Sequence, residues 1–439
     1  METTDSPCVL LLNLTHSALA GIDLLSFTTT PKFKGIKNLP PGLHFVFCST
    51  TSDLSVRHGA WFHVPGTAQG EAQPLFVKKW NGSKEQLDAE TDKAQIMRWR
   101  ANLGSIWKEG LSPYRQNAAQ EATEETNDWA SLTDTIAPKL LSRLVGDTPD
   151  HWTLTSASSA KQDLEAIPGL SMDSAQVQAE KELQFLPIDL KRPWREGATG
   201  RERTEAARDH SWYLREIISN DCIDQNPKHI IGEMQFCFLM VLTLNNYSCL
   251  EQWKRILTLV LTSHTIIPSL SSFYISLLSL LRLQLQHCAI AESGLFDLAD
   301  ESGSLLKSLL HKFKLGVRDL PGSMQKSDVL DELDELENYL RGEHGWELDN
   351  STLLKTGMLD LVDGERVEMD VGGAYDEEDE SGEYAPAVVE LTESQMVELG
   401  LSSGDVKVAK ELEVEGESES VSEVESEDDR DIEEMDDRY

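Results

Sequence analysis

Basic residues are scarce in this chain. Over 439 residues, 39 Lys and Arg stand against 76 Asp and Glu, a formal net charge of −37. Such a surface repels polyanions, so a nucleic-acid groove would need a local basic patch that the sequence does not advertise, which argues against direct RNA binding. Cysteine is also sparse. The six (Cys8, Cys48, Cys222, Cys237, Cys249, Cys288) contain no Cys-x-x-Cys pair and mostly sit in apolar runs, so they read as small buried hydrophobes in a reducing compartment. Long hydrophobic runs are missing too. The opening "METTDSPCVLLLNLTHSALA" starts acidic and holds about seven continuous apolar residues, failing the charge and length tests for a signal peptide. Ile230 to Leu244 is shorter than the roughly 20 residues a bilayer requires and contains Glu233 and Gln235. These absences point to the cytoplasm and nucleus, with no membrane partner.

Catalytic signatures are missing as well. There is no Gly-x-x-x-x-Gly-Lys-Ser/Thr loop, no Gly-x-Gly-x-x-Gly after a strand, no Gly-x-Ser-x-Gly elbow and no His-Glu-x-x-His. The nearest approach to a metal site is His44, His58 and His63 around two candidate strands. Lone histidines near strand ends are more often solvated or hydrogen-bonded, so no metal is expected. No cysteine has an evident thiolate-stabilising base. The expectation is a non-enzyme with no catalytic residue and no cofactor.

What is present falls into distinct zones. In residues 1–145, "CVLLLNL", "LHFVFCS", "AWFHV" and "PLFVKKW" are short apolar runs separated by Gly, Pro, Ser and Asp, the pattern of an antiparallel sheet. In "LHFVFCS", Leu43, Phe45 and Phe47 point one way and His44, Val46 and Cys48 the other. Both faces are largely apolar, so this strand belongs inside a sandwich or under helices. Pro41 and Gly42 suit a turn that launches it. Helical periodicity follows over Lys84 to Leu103 and Glu121 to Leu144. Residues 146–204, rich in Ser, Pro, Gly and charge, read as a linker.

From residue 205 to 342 the period becomes helical. "IIGEMQFCFLMVLTLN" is apolar nearly all round, which requires a central, buried helix. Ser248 and Glu251 have capping-box spacing before the next helix. Pro268 suits a helix's first turn. Gly316 and Gly342 read as helix stops, and Asp328 as a start. The fold class expected is therefore α+β multidomain: an antiparallel β-rich N-terminal domain with flanking helices, an all-α C-terminal domain and a disordered acidic tail.

That tail spans residues 343–439. From Val371 to Tyr439 there are 25 Asp and Glu against 4 Lys and Arg, a net of −21 out of the total −37. Self-repulsion and too little apolar surface argue for disorder. One island interrupts it: "YAPAVVEL", comprising Tyr384, Ala385, Pro386, Ala387, Val388, Val389, Glu390 and Leu391. Its residue types suit a peptide that adds a strand to a partner's sheet edge, with Val388 and Leu391, or Val389, filling pockets and Pro386 limiting which edge can pair. Ser420, Ser422 and Ser426, each followed three residues later by Glu or Asp, are candidate acidophilic-kinase sites.

"GIDLLSFTTTPKFKGIKNLPPGLHFVFCS" (Gly21 to Ser49) and "RHGAWF" (Arg57 to Phe62) resemble the N-terminal signature of the A1 cistron-splicing factor family. Later segments are similar in the same order: "EGATGRERTEAARDHSWYLREII" (Glu196 to Ile218), "GEMQFCFLMVLTLNNYSCLEQWKRIL" (Gly232 to Leu257) and "APAVVEL" (Ala385 to Leu391). The linker and the extension after Leu391 depart from that pattern. The resemblance implies a non-enzymatic assembly factor of the U5 snRNP. It would bind the C-terminal RNase H-like and Jab/MPN-like domains of the large spliceosomal scaffold protein, alongside other U5 snRNP proteins, and delay the helicase until maturation. It also implies that Ala385 to Leu391 is the strand added to the partner. The alternative from composition alone is an acidic histone-type chaperone or a general protein-interaction scaffold.

Overall fold

The computed structural model describes residues 6–50, 55–66, 73–84, 86–115, 128–165, 181–288, 301–346, 348, 355–360 and 366–371. The chain divides into two units, Met1–Asn350 and Ser351–Tyr439.

In the first unit the short apolar runs become two five-stranded sheets. One contains β1 (Cys8–Leu12), β4 (Gly35–Lys37), β7 (Leu75–Asn81), β8 (Gln86–Ala89) and β9 (Leu111–Pro113), in the order β8-β7-β1-β4-β9. The other contains β2 (Leu19–Ile22), β3 (Leu25–Thr28), β5 (Gly42–Ser49), β6 (His58–Val64) and β10 (Trp152–Thr155), in the order β10-β6-β5-β2-β3. The second sheet is antiparallel throughout. The first is mixed, because β1 runs parallel to β7, and β4 to β9. Each parallel pair is joined by a long connection, which two-residue turns could not supply.

Alternation along the strands sorts the core into layers. In β1, Val9 and Leu11 face the second sheet, whereas Cys8, Leu10 and Leu12 pack under Leu103 and Trp107 beside α1 (Lys93–Ile106). In β5, Val46 and Cys48 join the inter-sheet core, whereas Leu43, Phe45 and Phe47 face helices. The strand expected either inside a sandwich or under helices is in both settings. Gly42 opens β5 with a positive φ of +134°, but it already lies in the strand and Pro41 before it is a bend, so the turn expected there is not formed. The Phe45 ring lies over Gly59 on β6 so closely that a Cβ there would come within 2.1 Å of it.

Helices cover the outer face of the second sheet. After α2 (Asp128–Thr133), α3 (Pro138–Val145) and α4 (Lys161–Glu165), the chain enters α5 (Gly200–Arg208), α6 (Ser211–Asn220), α7 (Lys228–Leu244), α8 (Tyr247–Leu261), α9 (Ser271–Cys288), α10 (Glu301–Asp319) and α11 (Met324–His344). Helix α7 is buried on nearly all sides, as its all-round apolarity requires. Phe45 and Trp61 of the sheet share one continuous apolar core with Trp129, Leu140, Phe236 and residues of α8 to α11. The helices therefore have no core separate from the sheet's.

Several local expectations are corrected. The pattern over Lys84 to Leu103 resolves into strand β8 and then α1, whose cap Asp92 accepts from Ala94 N at 2.9 Å. The pattern over Glu121 to Leu144 breaks at Pro138, which holds Ala137 in extended backbone (φ −95°, ψ 153°) and restarts the helix as α3. Helix α8 is capped by Asn246, accepting from Cys249 N at 2.9 Å, while the Ser248 hydroxyl bonds to Asp163. A short 3₁₀ turn, Ile267–Ser269, takes Pro268, and α9 begins after it. Gly316 lies inside α10 because the His264 ring fills the space where a Cβ would stand, 2.4 Å away. Helix α11 starts from a Ser323 cap and stops at Gly345 in left-handed backbone (φ 63°), so Asp328 and Gly342 are both interior.

The segment 146–204, expected as a linker, contributes β10 to the second sheet and buries Leu183, Leu186 and Ile188. Within the stretch expected as tail, α11 runs to His344 and Leu348 is buried. In the second unit, β11 (Lys355–Asp360) pairs antiparallel with β12 (Arg366–Val371).

Candidate interaction sites

The strand island Tyr384 to Leu391 and the serines Ser420, Ser422 and Ser426 lie outside the described residues. The described part of the chain shows what the folded body can offer a partner.

The three candidate histidines are not brought together. His44 lies between the sheets, with Nδ1 2.7 Å from Asp23 Oδ2 and Nε2 2.8 Å from the Pro40 carbonyl. Asp23 also accepts from Phe45 N and the Tyr114 hydroxyl, at 2.8 and 2.7 Å. Burial disfavours charge on His44, but the Asp23 carboxylate and the two hydrogen bonds hold its pKa above the ordinary imidazole range. With both ring nitrogens facing acceptors, the protonated ring is the form that satisfies the site. His58 packs edge-on against Trp80 at 5.6 Å, and His63 is exposed. Among the described residues, no group of three or more His, Cys, Asp and Glu side chains could hold a metal ion.

The cysteines are all free and buried. Burial pushes the thiols of Cys8, Cys48, Cys222 and Cys288 up to about 12, so none supplies a thiolate near neutral pH. Lys78 on β7 is 2% exposed, and its ammonium donates to the Asp150 carbonyl and approaches His151 Nδ1, both at 2.7 Å. Burial lowers the Lys78 pKa to about 7. His151 is held near 3 by burial and by the neighbouring Lys78 and Lys181.

Buried polar groups bind the chain's segments together. Glu233 of α7 is fully buried; it pairs with Arg143 of α3 and accepts from Leu186 N and Gln252 Nε2, each at 2.9 Å. Asp163 of α4 takes Arg255 and Ser248 of α8, and Asn246 Nδ2 donates to the Ser158 carbonyl at 2.7 Å. All of these but the Glu233–Gln252 bond cross a boundary the sequence reading drew. They hold sheet, connecting segment and helices in register, and none meets an open cavity with reactive groups aligned.

Among the described residues the surface carries two polar grooves of note. One, of about 500 Å³, runs between α2, α7 and α9, with Asp134, Gln235, Ser276 and Ser279 on its walls. Another, of about 300 Å³, lies where β8 and β10 end their sheets, lined by His58, Asp88, Thr153 and Lys181. A third feature is the arginine and tryptophan cluster around α5, where Arg195 lies over the Trp212 ring at 5.6 Å and Arg203 over Trp194 at 5.7 Å. The sequence reading passed over it. The interleaving in "KRPWREGATGRER" was the signal that could have found it.

The folded part is a β-sandwich fused through one core to a helical array, with buried charges such as Glu233 and Asp163 spent on internal joints. Residues 5–146 match the AAR2 N-terminal domain and residues 185–349 the AAR2 C-terminal repeat region. The mouse Protein AAR2 homolog is 28% identical over 302 residues, covering 63% of this chain and 74% of that protein. The Caenorhabditis elegans Protein AAR2 homolog is 25% identical over 364 residues, 77% of this chain and 94% of its own length. A Saccharomyces cerevisiae protein named A1 cistron-splicing factor AAR2 is 24% identical over 257 residues, 56% of this chain and 68% of that protein. The chain belongs to the AAR2 family.

Proposed function

We propose that this chain is a splicing factor, acting without catalysis as an assembly factor of the U5 snRNP. It binds the C-terminal RNase H-like and Jab/MPN-like domains of the large spliceosomal scaffold protein, meets other U5 snRNP proteins, delays helicase binding until maturation, and works in cytoplasm and nucleus. The observation that supports this is the ordered match of both AAR2 modules across residues 5–146 and 185–349, together with the splicing role in the yeast relative's name.

In this reading the folded body docks on the scaffold and Tyr384 to Leu391 adds a strand to a sheet edge, supplying backbone hydrogen bonds while Val388 and Leu391, or Val389, supply pocket contacts. The test is a pull-down with the scaffold's RNase H-like domain. Val388→Asp combined with Val389→Asp should weaken capture and leave thermal unfolding of the free protein unchanged. Undiminished capture sinks the strand assignment, and absence of the scaffold from an affinity purification sinks the assembly role. The 25-to-4 excess of acidic over basic residues in 371–439 favours a second reading, an acidic histone-type chaperone. Truncation at Gly382 separates the two, because binding carried by charge alone fades as salt screens it within about 8 Å at physiological ionic strength.

A further inference from the structure

Helix α5 raises a physical question, because none of its nine residues is buried. A helix polar all round needs local supports. At its start a capping box joins Thr199 and Glu202, with Thr199 N donating to Glu202 Oε2 at 2.8 Å. Arg201 pairs with Glu205 at 3.0 Å. Arg203 donates from Nε to the Ala198 carbonyl at 2.9 Å and lays its guanidinium over the Trp194 ring. On the preceding segment Arg195 does the same over Trp212 of α6.

These two arginines are held in place by rings and a carbonyl. Among the described residues neither has a carboxylate in ion-pair contact, and the same is true of Lys191 and Arg192. The nearby Glu202 carboxylate accepts from the Thr199 backbone N–H and hydroxyl, at 2.8 and 2.9 Å, and feels the Arg195 charge only at longer range, without an ion-pair contact. In a chain with nearly twice as many acidic as basic groups, residues 190–215 carry seven Lys and Arg against four Asp and Glu.

We propose that this arginine and tryptophan surface around α5 binds an acidic peptide segment of a partner protein, with Arg195 and Arg203 taking its carboxylates. A guanidinium stacked on an indole keeps its N–H groups oriented; Arg203 spends Nε on the Ala198 carbonyl, and its two terminal nitrogens still offer a carboxylate a planar, two-toothed donor. Because the side chains are already ordered, little further entropy is lost on binding. Arg and Trp are also the residues that most often dominate interface energetics. Single-stranded RNA fits less well: both indoles are half-buried and already face a guanidinium, so they offer no free platform for bases, and the net charge of −37 repels a polyanion. The inference concerns the folded body and does not depend on the tail strand.

The experiment is fluorescence polarisation of the full-length protein with a labelled decapeptide of alternating Asp and Glu, at physiological ionic strength. The wild type should bind, and Arg195→Ala with Arg203→Ala should lose about tenfold or more in affinity. The lysine pair, Arg195→Lys with Arg203→Lys, keeps the charge but not the fork, and should fall between the two. Indole N–H resonances of Trp194 and Trp212 should shift on adding the peptide to wild type, which reads the site even if a variant fails to fold. No binding, no indole shift, or equal affinity for wild type and the alanine pair overturns the proposal. So does tighter binding of oligouridylate with the same loss in the alanine pair, which would make the surface an RNA site.

Discussion

Glu233→Ala is the substitution that most directly tests whether sheet, connecting segment and helices are one cooperative body. The wild-type carboxylate is fully buried and answers three donors: Arg143 from α3, the Leu186 N–H from the connecting segment, and Gln252 from α8. Breaking a buried ion pair from one side costs about 3–5 kcal/mol. Arg143 is 23% exposed and can swing toward water, which places its share at about 3 kcal/mol, the low end of that range. The orphaned Leu186 N–H adds about 1–3 kcal/mol, so a total of roughly 4–6 kcal/mol is expected. Glu233→Gln keeps an acceptor but loses the charge, and should cost about half as much. Urea unfolding followed by tryptophan fluorescence and by far-ultraviolet circular dichroism would measure this, and both signals should move to the same lower midpoint because one core serves both layers. A loss below about 1 kcal/mol, alanine and glutamine variants that coincide, or signals that separate into two transitions would refute the reasoning.

Other outcomes follow from the same contacts. His44 has a folded pKa raised above its unfolded value near 6.5, so its pairing with Asp23 stabilises fully below about pH 6.5 and is lost as pH rises through the raised value. Melting temperature measured against pH should therefore show a decline as pH rises above about 6.5 that His44→Gln lacks; parallel profiles would contradict it. Lys78, lowered to about 7, should titrate near that pH by lysine-selective NMR; a Lys78 signal titrating near the free-lysine value of about 10.4 would contradict its burial. Gly316→Ala should destabilise by about 1–3 kcal/mol through collision with the His264 ring, although alanine is the better helix former by about 1 kcal/mol; a raised melting temperature would show that the ring moves aside freely.

What the sequence alone made legible is whatever depends on local spacing and composition. The two apolar faces of β5, the all-round burial of α7 and the burial of every cysteine could be read from periodicity, because alternation and helical repeat are written in adjacent residues. Caps and stops were less legible. Asn246, Ser323 and Gly345 do the work expected of Ser248, Asp328 and Gly342, because tertiary partners such as Asp163 claim one candidate and packing extends the helix past another. The hairpin of β11 and β12 was missed beneath an acidic composition, though Asp363-Gly364 is a turn signal between its strands.

Only the tertiary structure decided how the zones relate. Glu233 meets an arginine 90 positions earlier, and Phe45 shares a core with helices that begin well over a hundred residues later, pairings that no local period encodes. The stacked arginines of α5 are another such case. Their side chains are ordinary in sequence and become an organised surface because folding brings Trp194 and Trp212 beneath them, with no carboxylate in ion-pair contact among the described residues of a chain that is otherwise overwhelmingly acidic.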